Sequence, residues 1–105
     1  MDNFKVIYKI LRYLETMMDV SEPDMSPITA EGLGLSQERW ANLMEMLIRN
    51  EYIEGASAKR YARTPLMIIN LETARITLKG LEYLQENSLM KKAANIAKGI
   101  TEIIA

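Results

Sequence analysis

The chain contains neither cysteine nor histidine. The first absence excludes a disulfide framework, a thiolate nucleophile and every cysteine-based zinc site, and leaves nothing that requires an oxidising compartment. The second removes the commonest metal ligand and the usual general base near neutral pH. No apolar run approaches the ~20 residues of a membrane span. Met1-Asp2-Asn3 places an acid where a secretory signal would carry positive charge. The expectation is a cytoplasmic protein with no membrane partner. A strong net charge is missing too, since 13 basic and 14 acidic side chains leave −1.

What remains is an ordinary globular composition, 49% hydrophobic and 26% charged, far from the signature of disorder. A length of 105 residues suits a single domain with a real core. The charge is unevenly spread. Residues 1–27 carry three basic and five acidic side chains, whereas residues 51–80 carry five basic (Lys59, Arg60, Arg63, Arg75, Lys79) against three acidic. Lys59, Arg60 and Arg63 fall within five positions.

Asp2 or Asn3 is a candidate cap for a first helix over about residues 3–18, whose apolar residues Phe4, Ile7, Ile10, Leu11, Leu14, Met17 and Met18 recur at three and four. Residues 19–27 hold two prolines and read as a connection; their acids Asp19, Glu22 and Asp24 lack the spacing, the glycine and the closing glutamate of a calcium loop. Ile28–Gly34 reads as a short second helix, with Thr29 as cap and Gly34 as stop. Ser36 caps a third, which turns Trp40, Leu43, Met44, Leu47 and Ile48 to one side and Glu38, Asn42, Glu45 and Arg49 to the other, flanked by Gln37, Arg39 and Met46.

Downstream, Tyr52-Ile53-Glu54-Gly55 and Leu66-Met67-Ile68-Ile69-Asn70-Leu71 have strand character and are natural partners. Ala56–Pro65 between them interleaves Lys59, Arg60 and Arg63 with Tyr61. Thr77 caps a helix from Leu78, with Leu78, Leu81 and Leu84 down one side and Asn87 as its stop; Gly80 inside it points to close packing. After Ser88, Leu89, Ala93, Ile96, Ile100 and Ile103 recur at four, three, four and three. This seam either folds back on the first helix or pairs with a second copy.

The order of helix, helix, helix, strand, basic loop, strand and capped helix is that of a winged helix. The fold class is therefore mainly α with a small β-hairpin (α+β), a winged helix-turn-helix with an additional C-terminal helix. Residues 1–87 form the winged-helix domain and residues 88–105 the C-terminal packing or dimerisation element of the same domain. In a helix-turn-helix the second helix of the pair enters the major groove. Gln37, Arg39, Asn42 and Arg49 are its candidate DNA-contacting residues, and Lys59, Arg60 and Arg63 are those of a wing on the phosphate backbone. Glu38 and Glu45 oppose that role. A solvated polar helix face and a solvated hairpin tip are the plain alternatives.

Asn50-Glu51-Tyr52-Ile53 and the run Ile76-Thr77-Leu78-Lys79-Gly80-Leu81-Glu82-Tyr83-Leu84-Gln85-Glu86-Asn87 resemble the YjcQ family of small bacterial and phage proteins. The resemblance extends from the first helix to the tail. It implies a winged helix similar in outline to regulators of the MarR and PadR type and a bacterial or prophage source. It implies no activity and carries no catalytic or binding residues.

Two functions follow as expectations. One is a DNA-binding transcriptional regulator, dimeric through Leu89, Ala93, Ile96, Ile100 and Ile103, with an effector pocket lined by Tyr8, Tyr13 and Trp40 as a variant. The other is a non-enzymatic protein-interaction module that uses the surroundings of Trp40, the methionine-rich surfaces or the C-terminal seam. No acid pair, phosphate loop or nucleophile elbow occurs, so no catalytic residue, metal site or cofactor is expected.

Overall fold

The computed structural model describes residues 2–87. The protein begins with α1 (Asn3–Thr16), started by the Asp2 carboxylate, which accepts a hydrogen bond from the Phe4 amide at 2.9 Å. A 3₁₀ turn, Met17–Asp19, ends it. Its core stripe is Val6, Ile10, Leu11 and Leu14. Phe4 and Met18, expected on that stripe, are instead 69% and 60% exposed. Val6 takes the inward position of the first turn, and Phe4 sits at the edge of the stripe, where none of the described residues covers it.

A second 3₁₀ turn, Ser26–Ile28, leads into α2 (Ala30–Leu33). The Thr29 hydroxyl accepts from the Gly32 amide, and Gly34 stops the helix in the left-handed region at φ 70°. Helix α3 (Gln37–Arg49) follows after Leu35 and Ser36, and the Ser36 hydroxyl accepts from the Arg39 amide at 3.1 Å. Trp40, Ala41, Leu43, Met44 and Leu47 are buried. The Trp40 indole N–H donates to the Ile28 carbonyl at 2.8 Å, which satisfies the one polar atom of the side chain and ties α3 to the start of α2. Each fully buried aliphatic or methionine side chain in this centre contributes roughly 1.5–3 kcal/mol.

The hairpin differs from its expectation. Strand β1 (Ile53–Glu54) pairs antiparallel with β4 (Arg75–Ile76), and β2 (Ser57–Lys59) pairs antiparallel with β3 (Met67–Ile69). Residues 52–55 thus do not meet 66–71, and Lys59 lies in a strand instead of a loop. Gly55, at φ 90°, makes the break: a Cβ there would collide with the Thr73 carbonyl oxygen, and the Thr73 hydroxyl donates to the Gly55 carbonyl at 2.9 Å. Asn70, left-handed at φ 61°, opens the 3₁₀ turn Leu71–Thr73 on the opposing arm. The run Ser57-Ala58-Lys59 has weak strand propensity, and its pairing comes from Ile68, whose cross-strand partner is Ala58; both pack against the core.

Helix α4 occupies residues 78–87. Thr77 caps it, accepting from the Gly80 amide at 3.1 Å while its hydroxyl donates to the Glu51 carbonyl at 2.6 Å. A Cβ at Gly80 would lie 2.6 Å from both the Tyr52 carbonyl oxygen and Ile76 Cγ1, which is the close packing its sequence position implied. The leucine side is only partly internal: Leu84 is buried and Leu81 half-buried, but Leu78 is 73% exposed. Asn87 is still helical, its amide donating to the Tyr83 carbonyl at 2.8 Å. Ser88, Leu89, Ala93, Ile96, Ile100 and Ile103, and with them the division at residue 88, lie outside the described residues.

The architecture is mainly helical with a small antiparallel β element, in the α+β class. Among the described residues no helix is long and apolar enough to cross a membrane.

Candidate nucleic-acid interface

Helix α3 and the β2–β3 hairpin lie against each other, and Glu45 joins them. One carboxylate oxygen is 3.0 Å from Arg49 Nη2 one helical turn on, and the other is 3.3 Å from Arg60 Nη2 on the hairpin. The glutamate side chain is only 15% exposed, whereas the Arg49 and Arg60 side chains are 73% and 62% exposed. Arg60 directly follows β2, whose Ala58 packs against the core while Lys59, opposite Met67, is exposed. The carboxylate that opposed a groove-facing role is therefore held between two cations.

The remaining candidates divide. Gln37 and Asn42 are exposed and make no side-chain hydrogen bond among the described residues. Arg39 is directed to α1, where its Nε and Nη2 groups donate to Asn3 Oδ1 at 2.9 and 2.6 Å. Arg63 occupies the hairpin tip in the left-handed region at φ 66°, within a turn closed by the Thr64 amide and hydroxyl, both donating to the Tyr61 carbonyl at 3.1 and 3.0 Å. Lys59 and Arg63 have no ion-pair partner among the described residues. The other two cations of the basic segment are elsewhere: Lys79 stands 5.2 Å from the centroid of the Tyr52 ring, and Arg75 sits in β4.

Two residues of this surface have roles that sequence reasoning misses. Asn3 reads from sequence only as a possible cap, and Glu45 only as a repulsive charge. The Glu45–Arg49 spacing of four is a readable signal for a helical ion pair. Neither Asn3–Arg39 nor Glu45–Arg60 has any local signal, because they are 36 and 15 residues apart.

Among the described residues Tyr8, Tyr13 and Trp40, the expected pocket residues, make separate contacts. Trp40 is buried on Ile28, Tyr13 donates to the Asp24 carbonyl, and Tyr8 lines a separate groove beside Leu81 and Leu84. Tyr8 and Tyr13 stand on α1 and Trp40 on α3. Among the described residues no group of acids is arranged to hold a metal ion. Asp24 accepts from the Ser26 amide at 3.0 Å, and the hydrogen bonds from Ser26 hold its carboxyl below the usual value. Burial, followed by the neighbouring Tyr52 and Asp2, pushes the Tyr83 phenol up.

A family model described as YjcQ protein matches residues 8–103. The chain belongs to the YjcQ family. No curated protein and no solved structure matches it. The family match takes in α2, α3, the whole hairpin and α4, and so includes the Glu45 junction and the basic hairpin tip. It begins after Asn3, the partner of Arg39.

Proposed function

We propose that this YjcQ-family protein is a cytoplasmic winged-helix DNA-binding protein, a transcriptional regulator of bacterial or prophage origin that acts without catalysis. In this reading α3 enters the major groove with Gln37 and Asn42 toward the bases, and the β2–β3 hairpin is the wing that follows phosphate through Lys59 and Arg63. The observation that carries it is the double ion pair of Glu45. With Arg49 and Arg60 on its two oxygens, the acid offers no free charge to repel phosphate, and the surface of α3 and the hairpin has five cations against two carboxylates. Arg39 serves α1 first and is a minor contact. A homodimer through residues 88–105 would present two such surfaces.

The test is fluorescence anisotropy of labelled duplex DNA at two salt concentrations. The wild type should bind with marked salt dependence. The pair Lys59→Ala with Arg63→Ala should weaken binding and reduce the salt slope by roughly 2, about one unit for each cation removed from the phosphate backbone. Unchanged affinity and slope in the double variant would remove the wing from the interface.

A second reading, a protein-interaction module, draws on a different observation. Met46 on α3, Tyr61 at the tip and Met67 on β3 are 53%, 58% and 43% exposed. Flexible thioethers on a surface suit an adaptable apolar contact. Salt-insensitive or absent DNA binding, together with an intact fold, would favour it.

A further inference from the structure

A cavity of about 380 Å³ opens between the last turn of α1, the connection that follows it and strand β4. Neither the nucleic-acid surface nor the family match accounts for it. Its size is within the ~300–1,000 Å³ of small-molecule sites. The wall is built from Leu14, Met17, Met18, Met25 and Ile76, three of them thioethers that adapt to the shape of an apolar guest. Two charged side chains also line it, Arg75 and Asp19.

Arg75 is exposed and is the cation of this wall. It lies opposite Glu54 across the β1–β4 ladder, yet it makes no ion pair or side-chain hydrogen bond among the described residues. Among the described residues strand β4 pairs only with β1. An apolar floor with one unpaired guanidinium selects a ligand with an apolar body and a planar anionic head, since guanidinium and carboxylate match as forks. Asp19 on the same wall subtracts from the attraction for any anion, which leaves the fork match to Arg75 as the basis of selection.

We infer that this cavity is a binding site for a small amphiphilic monocarboxylate, its alkyl or aryl body against Met17, Met18 and Met25 and its carboxylate on Arg75. The site is independent of the DNA-binding reading. Its test contains no DNA, so either can fail alone.

Protein labelled at the methionine methyl groups is titrated with octanoate and followed by NMR, with octylamine and octanol as matched probes. Octanoate should shift Met17, Met18 and Met25 saturably and leave Met44, Met46 and Met67 in place; octanol should bind more weakly and octylamine weakest. Arg75→Gln should raise the dissociation constant roughly tenfold, as loss of a charged hydrogen bond predicts, and Asp19→Asn should lower it. No saturable shift, equal response to octylamine, or an unchanged constant in folded Arg75→Gln each overturns the assignment.

Discussion

Arg60 reaches from the hairpin to Glu45 on α3, Nη2 to Oε1 at 3.3 Å across fifteen positions of sequence. The other oxygen of the same carboxylate accepts from Arg49. A pair this open to solvent stabilises the fold by only about 0.2–1 kcal/mol. Its importance lies in what it joins: α3 and the hairpin, the two elements of the proposed DNA surface, share one carboxylate.

Glu45→Gln should therefore cost less than about 1 kcal/mol of stability and strengthen DNA binding, because two guanidinium groups are released and one negative charge is lost from the surface. Urea unfolding and anisotropy measure the two effects. Weaker DNA binding in a variant of unchanged stability would show that the bridge positions Arg60 more than it masks it.

Gly80→Ala inverts the rule for helices. Alanine is the better helix former by about 1 kcal/mol, but here the added methyl would sit 2.6 Å from the Tyr52 carbonyl oxygen and from Ile76 Cγ1. Overpacking typically costs about 1–3 kcal/mol. The expected result is a lower urea midpoint. A rise would mean that α4 shifts without cost.

Trp40→Phe removes a buried donor and leaves the Ile28 carbonyl without its partner at 2.8 Å. A loss of about 1–3 kcal/mol is expected. Because Trp40 is the single tryptophan, unfolding of the variant is followed by circular dichroism, with the wild type measured in the same way.

Tyr83 gives a prediction at high pH. Its folded pKa is raised, first by burial and then by Tyr52 and Asp2, above the unfolded value near 10.0. The neutral phenol is thus favoured in the folded state. Its contribution is fully present below the unfolded pKa and is lost as pH rises through the folded one. Stability should fall in the alkaline range above pH 10.0, and Tyr83→Phe should flatten that fall. In an alkaline titration followed by phenolate absorbance, the variant should lack the latest component; loss of an ordinary, earlier component instead would refute the assignment.

Much of the frame was legible in sequence because its signals are local. Ser36 before Gln37, Thr29 with Gly34, and Thr77 before Leu78 each act within about four residues, through a side chain that accepts from a nearby amide or a backbone that turns left-handed. The inward side of α3 was also readable, since Trp40, Leu43, Met44 and Leu47 recur with the helical period. The edges of such stripes were not: Phe4 and Leu78 have the right spacing and are exposed, because exposure depends on whether a distant element arrives to cover them.

By itself, then, the sequence determined the helices and caps of the described residues, the α+β class and the clustering of cations between residues 59 and 63. Tertiary structure alone decided that β1 pairs with β4, that Arg39 turns to Asn3, and that Glu45 holds Arg60 beside α3. The physical reason is separation along the chain. A cap is chosen by neighbours a single turn away, whereas a strand register or an ion pair is chosen by close approach between segments, and that approach is set by the packing of the whole core.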